Sequence, residues 1–248
     1  NNDLAMKLHS IEAIAIDIPL PLNFGGATYN TLKRSTVITP LRTVEGLVSN
    51  VYNGDNRAHA GEIARLVSDT LFPLAKGMSI FEYERIWEKL FALTTMQGDR
   101  KVLMEAISCM DCAIWDLIGK SLNKSVRELL GGYRETLPII SIGGYYMPGK
   151  KLADFGTEVA SYKKAGMAGV KFKVGGLTPE EDAKRVAVAR KAVGNDFMIC
   201  VDANRGWSAQ DAIRFARLIE PLNIAWFEEP CLWHDDAAMM AQIGRAHV

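Results

Sequence analysis

The chain has 248 residues, of which 48% are hydrophobic and 23% are charged, and its formal net charge at pH 7 is zero. A chain of this length buries a sizeable core in one or two domains, and its balanced charge argues against nucleic acid and anionic membranes as partners. No uninterrupted apolar run approaches the roughly 18 residues of a membrane span, and "NNDLAMKLHS" lacks the features of a signal peptide, so we expect a cytoplasmic protein.

Residues 1 to about 50 alternate in the manner of antiparallel strands. In "IEAIAIDIPL" the side chains of Ile14, Ile16 and Ile18 share one face. From about residue 57 to 130 the apolar residues recur at helical spacing, with one long segment at 101–120. A sheet followed by helices predicts an α+β domain, which we assign to residues 1–132.

The four cysteines fit a reducing compartment. Cys109 and Cys112 form a C-x-x-C, a spacing that also occurs in redox pairs and zinc sites. They lie within the long helical segment, and no second C-x-x-C exists. We therefore expect both to be small buried helix residues, and we expect Cys200 and Cys231 to be inert in the same way.

After Tyr133 the pattern changes to alternating strands and helices. One helix begins with Thr178 as N-cap and Pro179 at its first position. Four βα units predict a parallel sheet with right-handed crossovers, which is either an open doubly wound sheet or part of a (β/α)8 barrel. We assign this second domain to residues 133–248. The predicted strands are "LPIISI", "GVKFKV", "DFMICVDAN" and "IAWFEEP", and the predicted helices are "LADFGTEVASYKKAG", "TPEEDAKRVAVARKAVG", "SAQDAIRFARLIEP" and "HDDAAMMAQIG".

Charged residues occupy the carboxyl ends of three consecutive strands. Lys171 and Lys173 share a face of their strand, Asp202 ends the next strand, and Glu228 ends the one after it. Each feature alone has a simpler explanation: a lysine pair protects a sheet edge, and an aspartate caps a helix. Together they indicate a site, because parallel βα folds place their active sites at this edge.

These groups suggest a specific chemistry. Two carboxylates on neighbouring strands suit a hard cation such as Mg²⁺. A lysine beside a second lysine has its ammonium form disfavoured, which lowers its pKa toward the range of a general base. A metal that stabilises an enolate oxygen, together with that base, removes a proton from a carbon next to a carboxylate.

The motifs that carry a family resemblance are K-x-K at 171–173, D-A-N at 202–204 and F-E-E-P at 227–230, with "AIWDLIGKSLNKSVRELLGG" at 113–132. Because these motifs occur together and in this order, the chain resembles the enolase superfamily, in its mandelate racemase and muconate lactonizing enzyme branch. The resemblance implies an α+β capping domain followed by a (β/α)8-type barrel, of which about four βα units are present.

The resemblance also implies roles for individual residues. Lys173 would be the base, and Lys171 would lie near the substrate carboxylate and tune Lys173. Asp202 and Glu228 would ligate Mg²⁺, and Asn204 would lie close to the site.

Further residues are candidates for substrate binding. The stretch "LNFGGATYN" at 22–30 occupies the place of the family's capping loop, so Phe24 and Tyr29 would set specificity, although a glycine-containing hairpin explains the stretch equally well. Tyr145 and Tyr146 follow the first barrel strand and suit substrate contact or packing equally. His234 follows the strand of Glu228 and is a candidate to reach the same rim.

The expected activity is that of a racemase or dehydratase acting on a small hydroxy acid or sugar acid through an enolate. A cycloisomerase or dipeptide epimerase shares the first proton abstraction. A Schiff-base aldolase and a noncatalytic half barrel that dimerises are alternatives from other classes. The family's third metal carboxylate and its opposite-face acid or base are expected beyond residue 248, so we expect the sequence to be a fragment, of a protein that forms a homo-oligomer.

Overall fold

The computed structural model describes residues 6–54, 58–95 and 98–232. The chain forms two compact units, which divide after residue 135. Residues 22–31 are an exception, because they belong with the second unit. The domain boundary between residues 132 and 133 stays a prediction.

Antiparallel pairing of short strands opens the first unit, as the alternating pattern predicts. β1 pairs with β4, and a three-stranded sheet has the order β2-β3-β5, with β3 and β5 antiparallel. The strands are β1 (Leu8–Ile11), β2 (Ile14–Gly25), β3 (Asn30–Ile38), β4 (Leu41–Thr43) and β5 (Tyr52–Gly54).

Helices follow these strands, over the region of helical spacing, and complete the predicted α+β arrangement. Their apolar faces form one core with Leu8, Val37 and Leu41 of the strands. None of the helices in the described ranges is long and apolar enough to cross a membrane. The helical segments are α1 (Ala60–Arg65), a π-helical turn (Leu66–Leu71), α2 (Phe72–Ala75), a 3-10 turn (Ile80–Glu82), α3 (Tyr83–Ala92), a 3-10 turn (Leu93–Thr95), α4 (Arg100–Leu122) and α5 (Val126–Leu129).

The C-x-x-C of α4 corrects one prediction. Cys109 is buried as expected, but Cys112 is exposed, and Asn53 Nδ2 lies 3.7 Å from its sulfur. Three residues along an α-helix fall about 60° short of a full turn. Because Cys109 already lies at the edge of the buried stripe, this rotation carries Cys112 out of it. Cys200 and Cys231 are buried.

The second unit is a βα repeat around a four-stranded sheet. All neighbouring strands are parallel, in the order β6-β7-β8-β9, which is part of a (β/α)8-type barrel. The elements are β6 (Ile140–Gly143), α6 (Leu152–Lys164), β7 (Gly169–Lys173), α7 (Pro179–Val193), β8 (Met198–Asp202), α8 (Ala209–Ile219), a 3-10 turn (Glu220–Leu222) and β9 (Trp226–Glu228). The helix predicted at 234–244 lies outside the described residues.

Strand alternation separates the apolar side of this sheet from its polar side. Val170 and Phe172 of β7 and Val201 of β8 are buried in one core with the apolar faces of the helices. Helix α7 begins as predicted: Thr178 is its N-cap, Glu181 closes a capping box, and Pro179 is its first residue. The opposite face of the sheet is left for the charged residues.

Candidate active site

Strand register brings the predicted charged residues together at one edge of the sheet. Lys173 lies directly beside Asp202, and Asp202 lies directly beside Glu228, on three adjacent parallel strands. Lys171 lies two residues earlier on β7, next to Cys200. Since residues two apart point to the same face, the four charged side chains project from one side of the sheet at the carboxyl ends of its strands.

The four groups form a connected set of ion pairs. Lys173 Nζ donates a hydrogen bond of 2.7 Å to Asp202 Oδ2, and both residues are buried, at 6% and 2% exposure. Lys171 Nζ lies 3.2 Å from the same Asp202 oxygen and 2.7 Å from Glu228 Oε1. Two cations and two anions thus balance within one cluster, in which Lys173 and Asp202 are buried and Glu228 is partly exposed.

The lysines and carboxylates of this cluster stabilise one another in their ionised states. Burial alone raises the pKa of the Asp202 carboxyl, but the Lys173 hydrogen bond, the Asn204 backbone N–H and the charge of Lys171 together hold it below its usual value. Burial lowers the pKa of Lys171, while its bond to Glu228 and the charge of Asp202 outweigh that effect and raise it. Both groups are therefore ionised at neutral pH.

Asn204 follows β8 in a left-handed conformation, with φ of 44°. This turn directs its backbone N–H at Asp202 Oδ1, at 2.9 Å. The side-chain Oδ1 of Asn204 is buried and has no hydrogen-bond donor. Most buried oxygens in folded proteins have a hydrogen-bond partner, so this oxygen is available to a further donor or to a cation.

The oxygen atoms of the site suit a metal ion in part. Asp202 and Glu228 supply carboxylates from adjacent register positions, and Asn204 supplies the unsatisfied oxygen. Oxygen donors of this kind suit a hard divalent cation. Within residues 6–54, 58–95 and 98–232, no three His, Cys, Asp or Glu side chains converge to form a complete metal site. The residues present therefore fit part of the coordination sphere of such an ion.

Three aromatic residues predicted to bind substrate lie in the neighbourhood of Lys173. Its Nζ lies 5.7 Å from the ring centre of Tyr29 and 6.0 Å from that of Tyr145. The rings of Phe24 and Tyr145 are in contact, with centres 4.5 Å apart. The structure thus places the rings of Tyr29 and Tyr145 near the lysine and that of Phe24 against Tyr145, whereas the candidate His234 lies outside the described residues.

The loop at residues 22–31 is held against the strand ends by backbone contacts. Gly25 and Tyr146 exchange two backbone hydrogen bonds, of 3.4 and 3.1 Å. The Thr28 hydroxyl donates to the Asn204 carbonyl at 3.0 Å. Gly26 permits this close approach, because a Cβ at that position would lie 2.6 Å from Asn204 Oδ1.

A second polar cluster, absent from the sequence-based predictions, lies behind β7. Asp182 is fully buried, and it accepts hydrogen bonds from the Tyr146 hydroxyl and from Arg185. The hydroxyl of Tyr146 is therefore committed to this cluster. The sequence held one signal: Asp182 occupies the apolar stripe of α7, four residues before the buried Val186.

The fold and the site define a βα-barrel protein with a charged site at the carboxyl edge of its sheet. Residues 11–131 match the family model "Mandelate racemase / muconate lactonizing enzyme, N-terminal domain", and residues 154–248 match "Enolase C-terminal domain-like". The chain therefore belongs to the enolase superfamily, in its mandelate racemase and muconate lactonizing enzyme branch.

Named relatives are enzymes of this branch. The chain is 34% identical to an arabinonate dehydratase of Saccharolobus solfataricus, over 78% of this chain and 52% of that protein. It is 30% identical to a 3,6-anhydro-alpha-L-galactonate cycloisomerase of Streptomyces coelicolor, over 95% of this chain and 65% of the relative. Further relatives include a racemase and an epimerase.

Solved structures agree with this assignment. A mandelate racemase/muconate lactonizing enzyme from a marine actinobacterium, in complex with magnesium, superimposes with a TM-score of 0.83 at 38% identity. The match covers 98% of this chain and 65% of that one. The chain thus spans between about half and two thirds of the length of these relatives.

Proposed function

We propose that this protein removes the α-proton of a small carboxylic acid in a Mg²⁺-dependent reaction, with Lys173 as the base. The observation that carries the proposal is the placement of Lys173, Asp202 and Glu228 at one level on three adjacent parallel strands. Family membership supports it, because the relatives include dehydratases, cycloisomerases, racemases and epimerases.

Asp202 and Glu228 are the residues that would hold Mg²⁺, with the unsatisfied Oδ1 of Asn204 nearby. When bound, the ion supplies positive charge that stabilises the negative charge developing on the substrate carboxylate. A magnesium-bound structure among the similar proteins supports the choice of metal.

Lys173 performs the proton transfer in this proposal. Its neutral amine takes the α-proton, the C–H electron pair moves toward the carboxylate, and the product is an enolate with an ammonium beside it. In this structure Lys173 Nζ donates to Asp202 Oδ2 at 2.7 Å, so before each turnover its ammonium releases a proton to solvent and leaves this carboxylate. Loss of this ion pair frees the neutral amine to act as the base.

Lys171 and the aromatic residues complete the site. Lys171 is ionised and lies next to the base, so its ammonium is placed to attract the substrate carboxylate. Phe24, Tyr29 and Tyr145 shield the side of Lys173 that they cover, which excludes water from the proton transfer. We propose these three as the substrate contacts that set specificity.

The substrate class we propose is a sugar acid, with a hydroxyl on the carbon next to the carboxylate. An arabinonate dehydratase and an L-talarate/galactarate dehydratase among the relatives support this class. Return of a proton to the opposite face of the α-carbon would give racemisation, and loss of the hydroxyl on the β-carbon, protonated to water as it leaves, would give dehydration. Cycloisomerisation is the second candidate, because the relative with that name aligns with 95% of the chain.

The test is exchange of the substrate α-proton with solvent deuterium, followed by NMR on arabinonate, galactonate and galactarate with Mg²⁺ present. Replacing Lys173 by Met should lower the exchange rate by about 10³-fold, which is the usual contribution of a general base. Lys164→Met, which changes an exposed lysine of α6, should leave the rate unchanged. Undiminished exchange in the Lys173 variant, or full exchange in excess EDTA, would contradict the proposal.

A further inference from the structure

A buried ion pair on α7 takes no direct part in the proposed chemistry. Asp182 is 0% exposed and Arg185 is 7% exposed, and Arg185 Nη1 donates to Asp182 Oδ1 at 2.7 Å. Burial of two charges is costly unless every polar atom finds a partner. The partners of this pair are backbone groups at and just beyond the carboxyl ends of β6 and β7, together with the Tyr146 hydroxyl.

Arg185 binds the backbone carbonyls of two strand ends. Its Nη1 donates to the carbonyl of Lys173 at 2.7 Å, and its Nη2 donates to the carbonyl of Gly144 at 2.5 Å. The planar guanidinium fixes the direction of these bonds, since its donors are held in one rigid fork. The peptide group that carries the proposed base is therefore tied to the end of the neighbouring strand.

Asp182 binds the loop that follows β7. Its Oδ2 accepts from the backbone N–H of Gly175 at 2.8 Å, and both its oxygens lie 2.8 Å from the Tyr146 hydroxyl. Burial and the charge of Asp182 raise the pKa of Tyr146, so its hydroxyl remains protonated and donates. The same hydroxyl accepts from the Gly176 N–H at 3.0 Å. The backbone that begins at the Lys173 carbonyl and runs to Gly176, and the backbone that flanks Tyr145, are thus restrained.

Helix α7 carries a second buried arginine with a different location. Arg190 donates to the carbonyls of Gly194, Phe197, Leu222 and Asn223, at 2.6 to 2.9 Å. Those carbonyls precede β8 and β9, at the amino ends of the strands. Arg185 and Arg190 therefore share a helix, a similar burial of 7% each and a similar bonding pattern, but only Arg185 reaches the edge where the site lies.

We propose that Asp182, Arg185 and Tyr146 form a positioning network, which sets the backbone at Lys173 and Tyr145 and thereby the location of the base relative to the substrate. This inference rests on the proposed function of Lys173. Its physical basis is that a displacement of about 1 Å in a reacting group lowers a rate by about 100-fold.

The kinetic test compares Arg185→Met with Arg190→Met, using arabinonate, galactonate and galactarate. The Arg185 variant should lose about 100-fold in the kcat of α-proton exchange, with KM within about threefold of the wild type. The Arg190 variant should keep kcat within about threefold, although both variants should melt at lower temperature. Equal kcat losses in the two variants would overturn the inference, because a general loss of stability would then explain both.

Tyr146→Phe is the variant to use where Arg185→Met does not fold, because it removes a single hydroxyl. Amide hydrogen exchange then gives a readout that does not require activity. Loss of the Tyr146 hydroxyl removes the acceptor of the Gly176 amide and should speed exchange of that amide at least tenfold, while Arg190→Met leaves it unchanged. Unchanged protection of the Gly176 amide in Tyr146→Phe would overturn the network. A wild type inactive on all three acids, with the amide effects present, would refute the proposed function alone.

Discussion

At the scale of single residues, burial divides the four cysteines into two kinds. Burial raises the pKa of the Cys109 thiol to about 12 and that of Cys200 to about 12, so neither forms a thiolate at neutral pH. Cys231 is buried as well, whereas Cys112 is exposed on α4. Since a reagent needs access to the sulfur, only Cys112 among the four is placed for modification in the folded protein.

We predict that the native protein at pH 8 reacts rapidly at one thiol when treated with a disulfide reagent such as DTNB. Peptide mapping should find the label on Cys112, and Cys112→Ser should abolish the fast phase. In denaturant all four cysteines should react. Cys200 is 0% exposed in the structure. Rapid labelling of Cys200 in the folded protein would therefore show that the charged face of the sheet opens to solvent.

The charged site was predictable residue by residue, and the network behind it was not. Strand alternation predicts that the side chains of Lys171, Lys173, Asp202 and Glu228 point to one face of the sheet. The parallel order of the strands predicts that these residues meet at the carboxyl ends, so these two rules are sufficient to predict the cluster. Arg185 gave no such signal, because its partners are carbonyls 12 and 41 residues away in sequence. When backbone carbonyls are the partners of a buried charge, no characteristic residue type at a fixed spacing in the sequence reveals them.

At the scale of elements, the helix caps are local enough to follow from sequence. The short helix α5 begins with Ser125 as N-cap and Glu128 in a capping box. The backbone N–H and the hydroxyl of Ser125 donate to Glu128, at 2.9 and 2.8 Å. These bonds, followed by the charge of Lys124, lower the pKa of Glu128 to about 2.

This shift predicts a pH dependence with a definite sign. A carboxyl whose pKa is lower in the folded state than its usual 4.5 stabilises the fold above pH 4.5, and that contribution disappears as the pH falls toward 2. NMR titration should place the Glu128 carboxyl midpoint near 2, and Ser125→Ala should move it toward 4.5. Ser121→Ala, on the preceding helix, should not shift it. A wild-type midpoint near 4.5 would show that the box is open in solution.

The segment from Ala60 to Ala75 differs from its sequence pattern. One apolar stripe runs through it, but the structure divides it into α1, a π-helical turn (Leu66–Leu71) and α2. Pro73 lies in the first turn of α2 and has no N–H to donate to the preceding turn. A wider turn before a proline is one way for a helix to accommodate the missing bond. The spacing of hydrophobic residues does not predict a π-helical turn within such a stripe.

At the scale of the whole molecule, residues 22–31 belong with the second unit, although they lie early in the sequence among the residues of the first. Their position in the second unit depends on long-range bonds, such as that of Thr28 to the Asn204 carbonyl, 176 residues away. The local sequence predicts a turn at the glycines of this stretch, but it does not predict that the turn packs against Asn204. Phe24 and Tyr29 were predicted near the site through the family resemblance, and local sequence rules alone would have left them in a surface hairpin.

Binding of Mg²⁺ should also change the stability of the whole chain. A ligand that binds only the folded state, at ten times its Kd, adds about 1.4 kcal/mol to the free energy of unfolding. For a chain of this size that gain raises the melting temperature by about 3–6 °C. The effect depends on Asp202 and Glu228, because they are the carboxylates placed together at the sheet edge.

We therefore predict that Mg²⁺ raises the melting temperature of the wild type but not that of Asp202→Asn. The shift is compared within each variant, because Asp202→Asn also removes the ion partner of Lys173 and changes the metal-free stability. Asp196→Asn is the matched control: it lies just before the amino end of the same strand, and its carboxylate is 79% exposed and paired with Lys163. It should keep the full shift. An undiminished shift in Asp202→Asn would place the ion elsewhere, since a site that loses one of its two carboxylates holds Mg²⁺ far more weakly.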